Sequence, residues 1–330
     1  MKILVIGGSN FIGRHVVREL LSTGNEVTLF NRGNHPQKDE NLSVRHLSGD
    51  RFLPGSIQSV ITTEHFDAVI DMVAYDAPET TLAIQQLQGH CDRYIMISTA
   101  SVYAEPMASP IHETDPLIES DDHRLAYGHK KVLAERAAFH AHTETGFPVT
   151  VLRLPAVFGE YDHQAREWYF IKRFLDQRKQ MILPEGGCGV YHREYAGNVG
   201  VQIDFLLHTP ASNGHIYNSG HLRTPNYRQL VSIAANLCGQ PMTYYSLPAP
   251  LFPHIPNLAA PVIFTQSTAK LEAIGYQEKY SVAQALKRTM DWFTENPITE
   301  FLPAQRNQAR HFDYAWEDEL ITKGTAVKLD

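Results

Sequence analysis

The stretch Ile3-Leu4-Val5-Ile6-Gly7-Gly8-Ser9-Asn10-Phe11-Ile12-Gly13 decides the fold. Four apolar residues in a row read as a parallel strand buried on both faces. Ile12, Val16, Val17, Leu20 and Leu21 then recur at helical spacing, and Gly24-Asn25 marks the helix stop. A strand that turns through glycines into a helix suits the pyrophosphate of a dinucleotide. The backbone must approach the phosphates closely, and the helix must present unpaired N–H groups at the positive end of its dipole. Gly7 permits the tight turn, and Gly13 lets helix and strand pack. Asn10 stands in the middle position, where glycine is usual. Asn tolerates unusual backbone angles, so the turn survives with an altered phosphate contact. The competing reading is an ordinary turn that uses glycine for positive φ.

Outward from this turn, strands and helices alternate. Val27–Phe30, Val44–Leu47, Ala68–Val73, Tyr94–Ser98 and Val149–Leu154 read as further strands. Helices are predicted from Pro78 to Leu87 and from Tyr127 to about Thr145, the latter stopped by Gly146. This alternation predicts an α/β fold with a doubly wound parallel sheet. Beyond residue 160 the pattern loosens into a smaller C-terminal substrate-binding domain. Helices are predicted over Arg166–Gln177 and Val199–Leu207, with a short strand at Ile216–Asn218. Thr224-Pro225 reads as an N-cap with proline at the first helical position, and Ser281 with Gln284 as a capping box. Prolines between Pro241 and Pro261 point to irregular structure. The expected division is a dinucleotide-binding domain over 1–160, rejoined by about 190–220, and a mainly substrate-binding domain over 161–330.

The end of the second strand reads the cofactor's ribose. An acidic residue there holds a 2′-OH, whereas arginine favours a 2′-phosphate. This chain has Asn31-Arg32-Gly33, so the charge favours NADP over NAD. Asp50, after the third strand, is a candidate for the adenine edge or an ordinary turn residue.

Tyr127 and Lys131 are four apart at the start of the long helix and so share a face. A free tyrosine has a pKa of about 10. A nearby ammonium stabilises phenolate and lets the group act as a base. The chemistry also needs a second hydroxyl on the substrate oxygen. Thr99, at the carboxyl end of the fifth strand, is the first choice, with Ser98 behind it.

Composition narrows the class. The chain has 330 residues, 43% of them hydrophobic and 20% charged, which suits a globular protein with a large core. A formal net charge of -7 without a basic stripe argues against a nucleic-acid partner. Three widely spaced cysteines make neither a disulfide framework nor a metal motif, and the reducing cytoplasm is the expected location. The 17 histidines include no ligand spacing: His140 and His142, two apart on a helix, point away from each other. No metal site is expected. No run approaches the ~18 apolar residues of a membrane helix, and Ile3–Ile6 is too short for a signal segment.

The glycine turn, Ser98-Thr99-Ala100-Ser101-Val102-Tyr103, Tyr127-x-x-x-Lys131 and Leu152-Arg153-Leu154-Pro155 occur in the order typical of extended short-chain dehydrogenases/reductases. Glu113-Thr114-Asp115-Pro116, Arg193-Glu194-Tyr195, Tyr217-Asn218-Ser219-Gly220 and Ala273-Ile274-Gly275-Tyr276 add to the likeness. The chain resembles the NAD-dependent epimerase/dehydratase branch, which includes nucleotide-sugar epimerases. The resemblance covers residues 1 to about 295 and implies a Rossmann fold. It implies Tyr127 as acid/base, Lys131 as its partner and ribose ligand, and Thr99 on the substrate oxygen. It further implies that Gly7, Ser9, Asn10, Phe11 and Ile12 line the pyrophosphate, that Asp50 lies near adenine and that Ala74 lies beside the nicotinamide half. It implies a homodimer built through the helix after Pro78 and the helix after Tyr127. The glycine turn together with Phe30-Asn31-Arg32-Gly33 also resembles a branch that includes chloroplast stem-loop RNA-binding proteins.

On the substrate side, Arg153, Tyr161, His163, Trp168, Tyr169, Arg173, Tyr191, His192 and Arg193 are candidates, since aromatics stack on bases or sugars and arginines clamp phosphates. Trp168, Tyr169 and Phe170 are consecutive and cannot all face one pocket, so core packing competes for them. Two functions follow. One is an epimerase or reductase acting on a sugar nucleotide or a similar polar alcohol or carbonyl. The other is a catalytically silent cofactor-sensing or RNA-binding protein.

Overall fold

A computed structural model describes residues 1–33, 44–61, 64–105, 108–120, 122–123, 125–255, 258–300 and 310–330. The chain divides into two compact units: Met1–Val157 with Ala196–Gly220 and Gln266–Lys279, and Phe158–Tyr195 with His221–Thr265 and Tyr280–Asp330. The segment Gln266–Lys279 belongs to the first unit.

The first unit runs β1 (Lys2–Ile6), α1 (Phe11–Ser22), β2 (Glu26–Asn31), β3 (Arg45–Ser48), α2 (Ser56–Ile61), β4 (Ala68–Asp71), α3 (Ala77–Leu87), β5 (Tyr94–Thr99), α4 (Ala126–Thr145) and β6 (Val149–Leu154). The sheet has seven strands in the order β3-β2-β1-β4-β5-β6 followed by His215–Asn218, and its neighbours pair in parallel. The strand order reverses between β1 and β4. That switch point opens a ligand crevice at the carboxyl ends of the strands.

Local chemistry explains the elements. Ile3, Leu4, Val5 and Ile6 are buried, as a strand covered on both faces requires. Val16, Val17 and Leu20 turn α1 onto the sheet. Asp76 and Glu79 close a capping box on α3, with Pro78 inside the first turn. Gly146 ends α4 at φ 70°. The later helix Ala196–Leu207 packs on α1 at Gly200, where a Cβ would stand 3.0 Å from the Cβ of Glu19.

The second unit has its own core. Trp168, Tyr169 and Phe170 are all buried there, with Tyr227, Leu286 and Phe293. Its sheet of Gln180–Pro184, Thr243–Leu247 and Val327–Lys328 includes a strand inside the proline-rich stretch expected to be irregular. The predicted cap at Thr224 is displaced: Asn226 caps the helix Tyr227–Cys238 and boxes with Gln229. Ser281 and Gln284 box the helix Val282–Glu295 as read. The C-terminal helix Tyr314–Thr322 is tied down by Glu317, which accepts from the buried Arg173 guanidinium.

Candidate active site

At the first crossover the backbone does the work. Gly7 and Gly8 have φ of 95° and 84°, in the left-handed region. A Cβ on Gly8 would lie 2.9 Å from side-chain atoms of Val5 and Leu29, and one on Gly13 would lie 2.4 Å from the Cα of Gly8. The missing side chain at Gly13 thus lets the helix close onto the Gly8 backbone, and the one at Gly8 lets the turn lie against β1 and β2. The need for glycine at position 8 is set by its positive φ and by the Val5 and Leu29 side chains around it, on two different strands. Asn10 is extended at φ −128° and caps α1, its Oδ1 accepting from the Phe11 N–H at 3.0 Å. It keeps a polar cap where the usual pattern has glycine. Phe11 starts the helix at φ 26°, a strained value for a bulky side chain. Ile12 is half-buried behind it.

At the end of β2, Asn31 makes two hydrogen bonds within the loop. The Asn31 amide donates to the Ser9 hydroxyl at 2.7 Å, and its Oδ1 accepts from the Gly33 N–H at 2.8 Å. Both ends are occupied within the loop, so Asn31 ties the glycine turn to the end of β2. Arg32 beside it is exposed. Asp50 accepts from the Phe52 N–H at 3.0 Å, which is the turn reading, with its remaining carboxylate oxygen on a half-buried residue.

At the other end of the crevice, α4 rests on the turn that follows β5. A Cβ on Gly128 would fall 2.0 Å from the carbonyl oxygen of Ser101. Only glycine permits that approach, and it brings Tyr127 to the turn that carries Thr99. Thr99 is extended, and its Oγ1 accepts from the Ser101 N–H at 3.2 Å. Tyr127 is 51% exposed and Lys131 2%. The Lys131 ammonium donates to the carbonyls of Ala74 at 2.8 Å and Ile97 at 2.7 Å, and lies 5.0 Å from the ring centre of Tyr75. Lys131 therefore points to the carboxyl edge of β4 and β5, beside Ala74. Burial pushes it down to about 8, opposed by the charges of Asp71 and Glu135.

Ser98 and Arg153 do not reach open space, contrary to expectation. Ser98 pairs with Arg153 in the β5–β6 register, and Arg153 with Asn218 in the next strand. Ser98 donates to Glu135 Oε1 at 2.5 Å. Arg153 donates to both oxygens of Glu135, at 3.0 and 2.6 Å, and to the Tyr103 hydroxyl at 3.0 Å. Tyr103 in turn donates to Asn218 Oδ1 at 2.6 Å. A buried charge keeps its charge only when so paired, and these partners engage all three nitrogens of Arg153. A second buried pair lies on the other side of Lys131. Arg51 donates to Asp71 at 2.5 Å, and Asp71 also accepts from the Tyr94 hydroxyl at 2.8 Å. Burial works against the Arg51 charge, but Asp71 outweighs it and holds the guanidinium firmly protonated. Neither pair was read from the sequence. The available signal was a charged residue in a buried strand: Asp71 at the end of β4 and Arg153 next to the end of β6.

In the second unit, Arg193 is buried and donates to Glu167 at 2.9 Å and to the carbonyls of Tyr191 and Leu258. Arg173 is also buried, with both terminal nitrogens bonded to Tyr169, His311 and Glu317. Tyr161 has φ 66° and packs at a tilt against Trp292, the ring centres 5.1 Å apart.

The sequence pattern of the NAD dependent epimerase/dehydratase family matches residues 3–220. The chain belongs to this family. An NAD-dependent enzyme of the epimerase, dehydratase and oxidoreductase class is thereby indicated, and the glycine cradle at Gly8 and Gly13 fits the dinucleotide such an enzyme holds. Among curated relatives of this family member is the chloroplast stem-loop binding protein of 41 kDa b from Arabidopsis thaliana, 22% identical, with 98% of this chain and 84% of the relative covered. Another is the trifunctional UDP-glucose 4,6-dehydratase/UDP-4-keto-6-deoxy-D-glucose 3,5-epimerase/UDP-4-keto-L-rhamnose-reductase of the same plant, 24% identical over 96% of this chain. The chain spans about half of that relative's length, 52%. Among solved structures, the fold matches UDP-glucose 4-epimerase from Thermotoga maritima with UDP-glucose at a TM-score of 0.71 and 21% identity, covering 90% of this chain and 99% of that one. No helix among the described residues is long and apolar enough to cross a membrane.

Proposed function

We propose that the chain moves a hydride at a hydroxyl or carbonyl carbon of a polar small molecule, with Tyr127 as acid/base, Lys131 as its cationic partner and Thr99 on the substrate oxygen. The observation that carries this reading is the Lys131 ammonium at the carboxyl ends of β4 and β5, one helical turn below the exposed Tyr127. A nicotinamide ring, when bound, supplies the hydride acceptor or donor. Gly7, Ser9, Asn10, Phe11, Ile12 and Gly13 would hold its pyrophosphate, Asp50 its adenine end, and Ala74 and Lys131 its nicotinamide half. Tyr127 takes the proton of a substrate hydroxyl, or returns one to a carbonyl. Thr99 orients that oxygen with its hydroxyl. An ammonium has three N–H donors, and two of those on Lys131 hold backbone carbonyls, which leaves one for the ribose or for Tyr127.

Arg32, without an acidic neighbour at the end of β2, supports NADP over NAD. The three free cysteines support a cytoplasmic location, and the family resemblance supports a homodimer through α3 and α4. A nucleotide sugar remains the leading substrate class by relationship. The occupied state of Arg153, Arg173 and Arg193 favours a substrate that does not depend on those arginines for a diphosphate clamp. The acidic balance of the chain weighs against an RNA-binding role.

Cofactor titration tests this reading. NADPH should quench or enhance nicotinamide fluorescence saturably and bind more tightly than NADH. Arg32→Ala should remove that preference and leave NADH affinity unchanged. Absence of saturable binding by either dinucleotide contradicts the reading.

A further inference from the structure

Beneath the exposed end of α4 lies a polar layer that no substrate or cofactor contact requires. Tyr127, Lys131 and Glu135 follow one another at four-residue spacing along α4, the first exposed and the other two buried. The last two meet consecutive residues of β5. Lys131 donates to the carbonyl of Ile97 at 2.7 Å, and Glu135 accepts from the hydroxyl of Ser98 at 2.5 Å. The next residue is Thr99. Glu135 is also held by Arg153 of β6, at 2.6 and 3.0 Å, and both are buried, at 3% and 1% exposure. The far end of Arg153 donates to the carbonyl of Glu113 at 3.1 Å and to Tyr103, so the segment that follows β5 hangs on the same guanidinium.

We propose that Glu135 and Arg153 are positioning residues for the hydride-transfer site: their buried pair fixes Thr99 against the Tyr127–Lys131 face of α4 and sets a negative charge one turn below Lys131. This rests on the hydride reading given above. The charge matters because of donor arithmetic. A neutral amine has two N–H bonds, and Ala74 and Ile97 occupy two. Only the ammonium keeps a donor for the ribose or for Tyr127. The charged groups that act on Lys131 are Asp71 of β4, Arg51 after β3, Glu79 of α3 and Glu135 of its own helix, with the Tyr75 ring beside them. Burial and Arg51 favour the neutral amine; Asp71, Glu135 and Glu79 favour the ammonium.

The test reads the Lys131 charge directly in the full-length protein. [ε-13C]Lysine labelling, with the Lys131 signal assigned by its loss in Lys131→Arg, gives its titration midpoint. Glu135→Gln removes the charge but strands Arg153. The double variant Glu135→Gln/Arg153→Met removes both charges at similar volume and keeps the test open if the single variant does not fold, since a neutralised buried pair is tolerated far better than a broken one. In either folded variant the Lys131 midpoint should fall by roughly one pH unit. NADPH affinity should stay near wild type at about pH 6 and weaken about fivefold at about pH 8, where fewer variant molecules carry the ammonium. A role in packing alone would weaken binding equally at both pH values. An unchanged midpoint in a folded double variant that binds NADPH overturns the role of the pair. A wild-type protein that binds neither NADPH nor NADH overturns the hydride reading itself.

Discussion

The two ends of the sheet's carboxyl edge are built on opposite principles. At the β1–α1 end the site is made by removing side chains. Gly7, Gly8 and Gly13 clear space, and Asn10 supplies a neutral cap. At the β4–β6 end it is made by burying charge. Asp71, Arg51, Lys131, Glu135 and Arg153 are all buried and bonded to partners. A backbone cradle holds phosphates wherever the chain turns this way. A charged underlayer holds only if every member keeps its partner, because an unpaired buried charge is strongly destabilising. The first end should therefore fail by steric crowding, the second by electrostatic orphaning.

This contrast can be broken from either side. A large effect should come from Arg153→Met, which leaves the buried Glu135 without its cation. Chemical denaturation should show a loss of about 3–5 kcal/mol; a loss under about 1 kcal/mol would mean that the underlayer is not the electrostatic anchor described. Gly13→Ala should rank next. Its Cβ meets the backbone of Gly8, and overpacking of this kind costs about 1–3 kcal/mol. Dinucleotide binding should fall with it, whereas full binding would show that the turn has room to yield. A third test sharpens the comparison through pH. Lys131 is pushed by burial from 10.5 to about 8 in the folded chain. Between those values the unfolded chain holds more protons, so raising the pH stabilises the fold through this group. Wild type should therefore gain stability relative to Lys131→Met as the pH climbs from 8 to 10.5. A difference that stays flat across that window places the amine in a solvated setting.

The same contrast explains what the sequence disclosed. The cradle was legible because its parts lie within one short window and each answers to local geometry. Gly7, Gly13 and the Asn10 substitution could be read from strand, turn and helix signals alone. Tyr127 and Lys131 were legible as a helical pair, and Thr99 by its place at the end of a strand. The underlayer was not, because its partners are far apart in the chain. Lys131 meets a carbonyl 57 residues away, and Arg153 meets Glu135 across 18. Arg153 and Ser98 were taken for substrate groups since polar residues at strand ends look alike whether they face the crevice or a neighbouring helix. Gly128 escaped notice because its need for a missing side chain is set by Ser101, on another segment.

The measurement that reaches the central claim most directly is nicotinamide fluorescence of NADPH titrated with wild type and with Lys131→Met. The account predicts saturable binding by wild type and about tenfold weaker binding by the variant, the loss of one charge-assisted hydrogen bond. Equal affinity in the two proteins would mean that this buried lysine does not mark the place where the nicotinamide half sits.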